Sequence, residues 1–560
     1  MSYETKEKNL EDYSAGEPQQ TVTDEINHQD ADVNLALADD PHRGLRMRHV
    51  QLIAISGSIG SALFVSIGNP LTSAGPLGLL IGVAIWCAVV WAASNCLIEM
   101  TCLLPVDGGF IHYAGRFVDK SFGMALGWNY VITQLALICF ELVSLNVIVE
   151  YWTLTLHPAI IISVGLVAFF IIQIWSVRWF GEIEFYISIT KVFLMIGLTL
   201  YTFITMVGGN PIHDKYGFRF WKTPGPFAGE VNFRKVLTGI FDSLSWATFA
   251  VVGPDYISLI GGEVKNPRRI LPKAFNSTIY RIVCFYLTGA LSVGIVSSST
   301  DESLLGAIAA GAPGAAKSPY VISMNRLGIP VLPSLVNALI LISIFSTGNS
   351  FTFVASRSLF SLAQKGQAPA ILKRVNKHGV PWVAVCVTLA FGCLSYLSVS
   401  SGTVKVLNWW INLVGAAQLV SWTCIAITYL RFRKGLKSQN LLNTDYLPVR
   451  GYLQPFSGWY VLVWSPIVFF FSGYYLFYPG SFAGPDFVFA YGSIFIFLAI
   501  YIGSKVYQTT VKKDKRFIIP ADQIDFVSDV DHIDALTQAS EAKRARKPQT
   551  MGQKISDFFF

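Results

Sequence analysis

Two long apolar segments of this 560-residue chain are interrupted by glycine, and they occupy matching places in its two halves. The first contains Ser56-Gly-Ser-Ile-Gly-Ser-Ala62, and the second contains Val252-Gly-Pro-Asp255. In a bilayer every backbone amide and carbonyl needs a partner, so a broken helix is tolerated only where it is buried in protein or lines a cavity. A matched pair of broken helices indicates a transporter's binding site. We therefore predict a membrane transporter whose site lies between residues 57–64 and 249–255.

The composition supports a membrane protein built entirely from helices. Hydrophobic residues make up 52% of the chain and charged residues 14%, against roughly 25% charged residues in soluble domains. Many apolar segments have about 20 residues, which is enough to cross the hydrocarbon core. The pattern predicts about twelve transmembrane helices: 49–69, 76–104, 124–151, 158–177, 184–207, 236–262, 279–299, 329–356, 381–400, 404–430, 456–478 and 485–507.

The positions of lysine and arginine predict the orientation in the membrane. The net charge is +7, and most basic residues lie near helix ends on one side. Lysine and arginine are enriched in cytoplasmic loops, so we expect both termini in the cytosol and no nucleic-acid partner. Four regions follow: a disordered tail over 1–48, a core of ten helices over 49–431, two further helices and their loop over 432–507, and a loosely structured tail over 508–560.

Specific motifs add a family resemblance that spans residues 42 to 435. As a set, in chain order, they resemble fungal amino-acid permeases of the amino acid–polyamine–organocation superfamily. The resemblance implies a LeuT-type fold, with two inverted five-helix repeats and two extra helices, and no cofactor. The motifs are His42-Arg-Gly-Leu-Arg-Met-Arg-His49, Ser56-Gly-Ser-Ile-Gly-Ser-Ala-Leu-Phe64, Pro105-Val-Asp-Gly-Gly-Phe110, Phe122-Gly-Met-Ala-Leu-Gly-Trp-Asn-Tyr130, Gly262-Glu-Val-Lys-Asn-Pro-Arg-Arg269, Gly348-Asn-Ser350 and Leu362-Ala-Gln-Lys-Gly-Gln-Ala-Pro369.

Two departures from the family pattern fall on the glycine breaks themselves. The first break reads Gly60-Ser-Ala62, where the family usually has Gly-Thr-Gly or Gly-Ser-Gly. The second reads Gly253-Pro-Asp255, where Gly-Thr-Glu is usual. Proline has no amide hydrogen and clashes with the preceding turn, so Pro254 reinforces the second break.

By resemblance, the two breaks bind the backbone of an amino acid. Amides near Gly60, Ser61 and Ala62 would bind the carboxylate, which the partial positive charge at a helix N-terminus favours. Carbonyls near Ser58 and in 249–252 would bind the ammonium group, and Phe249 falls where relatives have an aromatic lid. The alternative is that the small residues only allow close helix packing. The predicted substrate-binding residues are Ser58, Gly60, Ser61, Ala62, Phe249, Val252, Gly253 and Asp255.

Three ionisable residues lie deep within predicted spans, where a charge is costly and indicates function. Lys191 matches a lysine of proton-coupled superfamily members, and burial would let it exchange a proton; alternatively, it stays charged and pairs with carbonyls of the broken helix. Glu141 carries the proton, contacts the substrate, or pairs with another buried polar group. Asp255 is either functional or a cap of the second half-helix.

These observations favour a proton-coupled amino-acid importer of the plasma membrane, or alternatively of the vacuole or another internal membrane. Its expected partners are the amino acid, protons and the bilayer, with trafficking or ubiquitin machinery at the tails. An amino-acid sensor on the same fold is the alternative. An enzyme is disfavoured because the spans show no nucleophile–base pair or metal cluster in their sequence.

Overall fold

The computed structural model describes residues 45, 47, 50–51, 60, 62–153, 155–229, 232–309, 318–401, 403–442, 446–480, 482–513 and 516–546. Within these ranges every regular element is a helix, apart from one isolated bridge between Leu45 and Val264. The first half of the chain forms a π-helix over Ala62–Ser66 and then α1 (Gly68–Leu103), α2 (Gly109–Phe117), α3 (Lys120–Val149), α4 (Pro158–Trp175), α5 (Val177–Met206), α6 (Arg219–Lys222), α7 (Phe233–Ala250) and α8 (Pro254–Leu259).

The second half repeats the pattern of long helices joined by short turns. Its α-helices are α9 (Pro267–Arg281), α10 (Thr288–Val296), α11 (Glu302–Ala309), α12 (Pro319–Arg326), α13 (Leu332–Gln364), α14 (Trp382–Gly392), α15 (Leu397–Ser401), α16 (Thr403–Ser438), α17 (Phe456–Ser472), α18 (Gly484–Thr510) and α19 (Val530–Arg546). A π-helix over Ile282–Leu287 joins α9 to α10, and 3₁₀ turns lie at Gly261–Glu263, Ala370–Lys373, Cys393–Tyr396, Tyr474–Phe477 and Ala521–Gln523.

Ten helices among the described residues are long and apolar enough to cross a membrane, and Phe456–Ser472 is a shorter apolar helix. About half of the first predicted span, 49–69, lies outside the described residues. The twelve-span prediction is therefore consistent with the structure. The all-helical membrane fold class is confirmed.

Three span boundaries differ from the prediction for local reasons. The first predicted span ends at 69, but in the structure the helix continues to Ala74 as the start of α1. Helix α1 then turns at Gly75 (φ +76°), where an added Cβ would lie 2.7 Å from the backbone of Phe227. The fifth helix begins at Val177 and not at 184, because the Ser176 side chain caps it by accepting the Trp179 amide. Helix α9, which corresponds to the seventh predicted span, begins at Pro267, twelve residues before the predicted 279. Its first turns are charged, so they lie outside the apolar stretch that the prediction followed.

The burial of the helices orders them around a centre. Among these helices α3 is the most enclosed, since 89% of its apolar 18-residue stretch is buried. The corresponding share is 22% in both α4 and α18. Helix α3 lies against α13 and α16, and α1 lies against α7. The two broken segments therefore face a scaffold whose middle is α3.

Basic residues at the ends of α2, α9, α16 and α18 all contact residues 516–534, and the side of the bundle that they share is named here the basic face. These residues are Arg116, Arg268, Arg431 and Lys505. Residues 516–529 cross this face, contrary to the expectation that the tail is loosely structured. Arg116 at the end of α2 forms ion pairs with Asp525 (3.1 Å) and Asp529 (2.9 Å). Phe526 is buried against Phe117 and Phe432. Ion pairs and aromatic packing thus hold this part of the tail against the helices.

Candidate functional site

The second broken helix opens over Val251–Gly253, between α7 and α8. Pro254 has no N–H, so the Ala250 carbonyl lacks its helical donor. The Gly253 amide donates to the carboxylate of Asp255 (3.2 Å) and not to a carbonyl one turn back. Trp86 of α1 donates its indole N–H to the Val251 carbonyl (3.2 Å). The break therefore releases backbone carbonyls at the middle of the bundle and secures one of them with a side chain.

A small cavity joins the two breaks. Its volume is ≈ 20 Å³, which is room for about one water molecule. Five residues predicted from the sequence, four for substrate binding and one for proton coupling, share this lining. The lining consists of Gly60, Ala62, Leu137, Glu141, Phe249, Ala250, Val252, Thr347, Phe351, Val414 and Gln418.

Aromatic rings separate this cavity from a larger space toward the face opposite the basic face. The rings of Phe140 and Phe249 meet edge to face with their centroids 4.8 Å apart. Beyond Phe140 lies a cavity of ≈ 130 Å³, lined in part by Asn69, Ile308 and Asn408. Phe140 lines the larger cavity and Phe249 the smaller one, so this ring pair lies between the two spaces.

Close backbone packing shuts the cavity from the basic face. Leu45 and Glu263 are joined through the Leu45 amide and the Glu263 carbonyl (3.0 Å). Gly109 of α2 lies so close to the backbone of Ser258 in α8 that a side chain there would overlap it. Among the described residues, close backbone packing thus lies on the basic-face side of the central cavity, and the Phe140–Phe249 ring pair lies on its other side.

Lys191 and Glu141 meet at the first break through one threonine. The Lys191 ammonium donates to the Thr347 hydroxyl (2.8 Å). An added Cβ at Gly60 would lie 2.6 Å from Glu141 Oε1 and 3.2 Å from Thr347 Cγ2. The side chains of Glu141 on α3 and Thr347 on α13 therefore meet at Gly60 of the first break. Lys191 is completely buried and Glu141 nearly so. The Glu141 carboxylate therefore lies beside the Gly60 backbone at the border of the cavity, and Thr347 connects the Lys191 ammonium group to the same place.

Asp255 occupies a different place. Among the described residues, neither Gly253 nor Asp255 lines the cavity. The Asp255 carboxylate accepts from Tyr130 of α3 (3.1 Å) and from the Gly253 amide (3.2 Å), and it interacts with Gln418. This arrangement resembles the helix-capping alternative, with Gln418 between Asp255 and the cavity.

Two of the predicted substrate-binding residues, Ser58 and Ser61, lie outside the described residues. The structure adds two polar lining residues that sequence reasoning missed, Thr347 and Gln418. The Gln418 side-chain nitrogen is buried, and its interaction with the Asp255 carboxylate falls short of hydrogen-bond geometry. Their signal was weak, because one threonine or glutamine in an apolar helix is also common at helix–helix contacts.

The family model "Amino acid permease" matches residues 49–516. The chain is 38% identical to "General amino acid permease AGP2" of Saccharomyces cerevisiae, over 88% of this chain and 83% of that protein. It is 37% identical to a proline-specific permease of S. cerevisiae, over 91% and 82%, and 37% identical to one of Emericella nidulans, over 90% and 91%.

One solved structure bears on the fold alone. A manganese transporter of Eremococcus coleocola superposes with a TM-score of 0.51 at 14% identity, covering 82% of this chain and 92% of that one. At this identity the likeness concerns architecture and not cargo. The architecture is the LeuT type that the sequence predicts.

Proposed function

We propose that this chain, which belongs to the amino acid permease family, imports a neutral amino acid together with a proton and holds it between the two broken helices. Membership of the family makes it a transporter of amino acids and not an enzyme. The proposal adds the driving ion, the binding site and the substrate class. The observation that carries it is the convergence of Glu141, Thr347 and Lys191 on Gly60 at the edge of the central cavity.

The unwound backbone supports recognition of the amino-acid headgroup. Carbonyls of residues 249–252 face a zwitterion's ammonium group, and amides at the first break face its carboxylate. The cavity is closed and small here, so binding requires it to widen as Phe249 moves away from Phe140. Transport would alternate between two states, one open past Phe140 and Phe249 and the other open to the basic face.

Lys191 supports proton coupling over sodium coupling. Its ammonium group lies against Thr347 and beside the first break, where it occupies space that a coupling cation would need. One proton moving inward across 100 mV releases about 2.3 kcal/mol, which can concentrate a zwitterion about fiftyfold. A lysine and a glutamate at the same break can couple that proton to substrate binding.

The lining of the cavity supports a neutral substrate with a compact apolar side chain. Leu137, Phe351 and Val414 are apolar, while Gln418 offers a neutral donor. Of the three relatives described above, one is named a general amino acid permease and two are named proline-specific permeases. Proline is therefore the first substrate to test.

The basic helix ends support a cytosolic location for both termini and for the basic face. We place the protein in the plasma membrane as part of the proposed import. In this arrangement residues 49–431 form the transport core, 432–507 the two outer helices, and 1–48 and 508–560 the cytosolic tails. The tails would then be accessible to trafficking or ubiquitin machinery. Protease accessibility of terminal tags in intact cells tests the orientation, and a tag cleaved from outside would overturn it.

Uptake of radiolabelled proline into proteoliposomes tests the function itself. With an inward proton gradient we expect accumulation that unlabelled neutral amino acids compete away and that a protonophore abolishes. Lysine and glutamate should compete at least tenfold more weakly. Saturable binding without any uptake would instead favour the amino-acid sensor.

A further inference from the structure

A third buried carboxylate, Glu184, lies on α5 two helical turns before Lys191. At 1.5 Å per residue, the two backbone positions are separated by about 10 Å along the helix. Side chains on a helix lean toward its N-terminus, so Lys191 extends toward Glu184. Glu184 is 1% exposed, and its charge and that of Glu141 both act on Lys191.

Glu184 is embedded in a polar network between α5, α13 and α4. It accepts hydrogen bonds from Ser346 and from Asn349 (3.2 Å) of α13, and from Ser188 (3.5 Å) of its own helix. Gln173 of α4 donates to the Asn349 side chain (2.9 Å) and to its carbonyl (2.7 Å). These donors hold the carboxylate in one orientation beside the lysine.

The contacts on α13 place the two α5 groups next to each other. Glu184 contacts Ser346, and Lys191 contacts the next residue, Thr347. Ser188 lies between them on α5 and can pass a proton, since a hydroxyl both donates and accepts. The cluster therefore runs from Glu141 at the cavity, through Thr347 and Lys191, to Glu184 on the side of the basic face.

We propose that Glu184 is the inner proton acceptor of the coupling cluster, an inference that rests on the proposed proton symport. After Glu141 has taken up a proton at the cavity, Lys191 gives a proton to Glu184. An N–H bond breaks at Lys191 and an O–H bond forms at Glu184, so an ammonium–carboxylate pair becomes a neutral amine and a neutral acid. Glu141 then reprotonates the amine, and Glu184 releases its proton toward the basic face.

The alternative is that Glu184 is a fixed counter-ion that only keeps α5 against α13. The other charged side chains on Glu184's own helix and on the helices packed against it are few. Among the described side chains they are Glu182 on α5 and Arg357 on α13, and Arg357 faces Glu263 (3.7 Å). Residues 52–59, which lie outside the described ranges, include no ionisable side chain in their sequence. A pH effect in Glu184 variants can therefore be traced to the cluster.

Glu184→Gln tests the proposal in proteoliposomes, with the half-buried Glu182→Gln on the same helix as the matched control. Two quantities are measured: proline counterflow, which needs no net proton movement, and proline-driven proton influx followed with an internal pH dye. We expect Glu184→Gln to keep counterflow within about twofold and to lose proton influx and accumulation at least tenfold. Glu184→Asp, which retains a carboxylate, should recover part of both, and Glu182→Gln should match the wild type.

Full proton influx in Glu184→Gln would overturn the proposal, as would a parallel loss of counterflow and influx in both Glu184 variants. If Glu184→Gln does not reach the membrane, Glu184→Asp decides alone. Its influx should shift in dependence on internal pH, and an unchanged profile counts against the role. Absence of proline-driven proton influx in the wild type would contradict the proposed symport instead.

Discussion

Two buried carboxylates near the central cavity, Glu141 and Asp255, differ in what surrounds them. Glu141 lines the cavity and approaches Gly60, Thr347 and thereby Lys191. Asp255 is withdrawn behind Gln418, where a tyrosine hydroxyl and a backbone amide hold it. A carboxylate that takes up the proton from the cavity must line it, whereas one that fixes a backbone break need not. Under the proposed symport, the contrast favours Glu141 as the group that takes up the proton and Asp255 as the group that fixes the break.

The largest effect should come from the lysine on the Glu141 side. Lys191→Ala removes the ammonium that contacts Thr347, so the cluster can no longer pass a proton. We expect accumulation to fall at least tenfold while counterflow persists. The matched control is Lys512→Ala at an exposed site beyond α18. Accumulation by Lys191→Ala at the wild-type level would break the contrast, since Lys191 would then be structural.

A side chain introduced at Gly60 would press against Glu141 and Thr347. In Gly60→Ala the new methyl would meet Glu141 Oε1 at 2.6 Å and Thr347 Cγ2 at 3.2 Å. One of these groups must shift, so we expect proline uptake to fall several-fold, with normal delivery to the membrane. Gly197→Ala on α5 is the matched control, because an added Cβ there meets nothing within 4 Å. Equal uptake by both variants would remove Gly60 from the site.

The sequence predicted the fold through its hydrophobic segments. Gly60, Ala62, Phe249, Val252 and Glu141, which glycine breaks and a buried charge single out locally, line one cavity in the structure. That this cavity binds the substrate stays a prediction. The sequence could not separate Glu141 from Asp255, since both are lone acids in apolar helices. Their roles depend on neighbours distant in sequence.

A smaller effect is expected where the Asp255 side is loosened. Tyr130→Phe removes the hydroxyl that donates to Asp255, and one such bond to a charged group contributes about 1.5–3 kcal/mol. We expect a lower unfolding temperature and a moderately raised KM, with the dependence of uptake on external pH unchanged. A shifted pH profile would move Asp255 into the coupling cluster. Thermal unfolding in detergent and pH-dependent uptake are the two measurements.

The most direct test compares proline-driven proton influx in proteoliposomes containing the wild type, Glu141→Gln or Asp255→Asn. Counterflow is measured on the same preparations to count working molecules. The account predicts that Glu141→Gln keeps counterflow but loses proton influx, and that Asp255→Asn transports more slowly with the wild-type ratio of protons to proline. Loss of influx in Asp255→Asn, together with normal influx in Glu141→Gln, would contradict it.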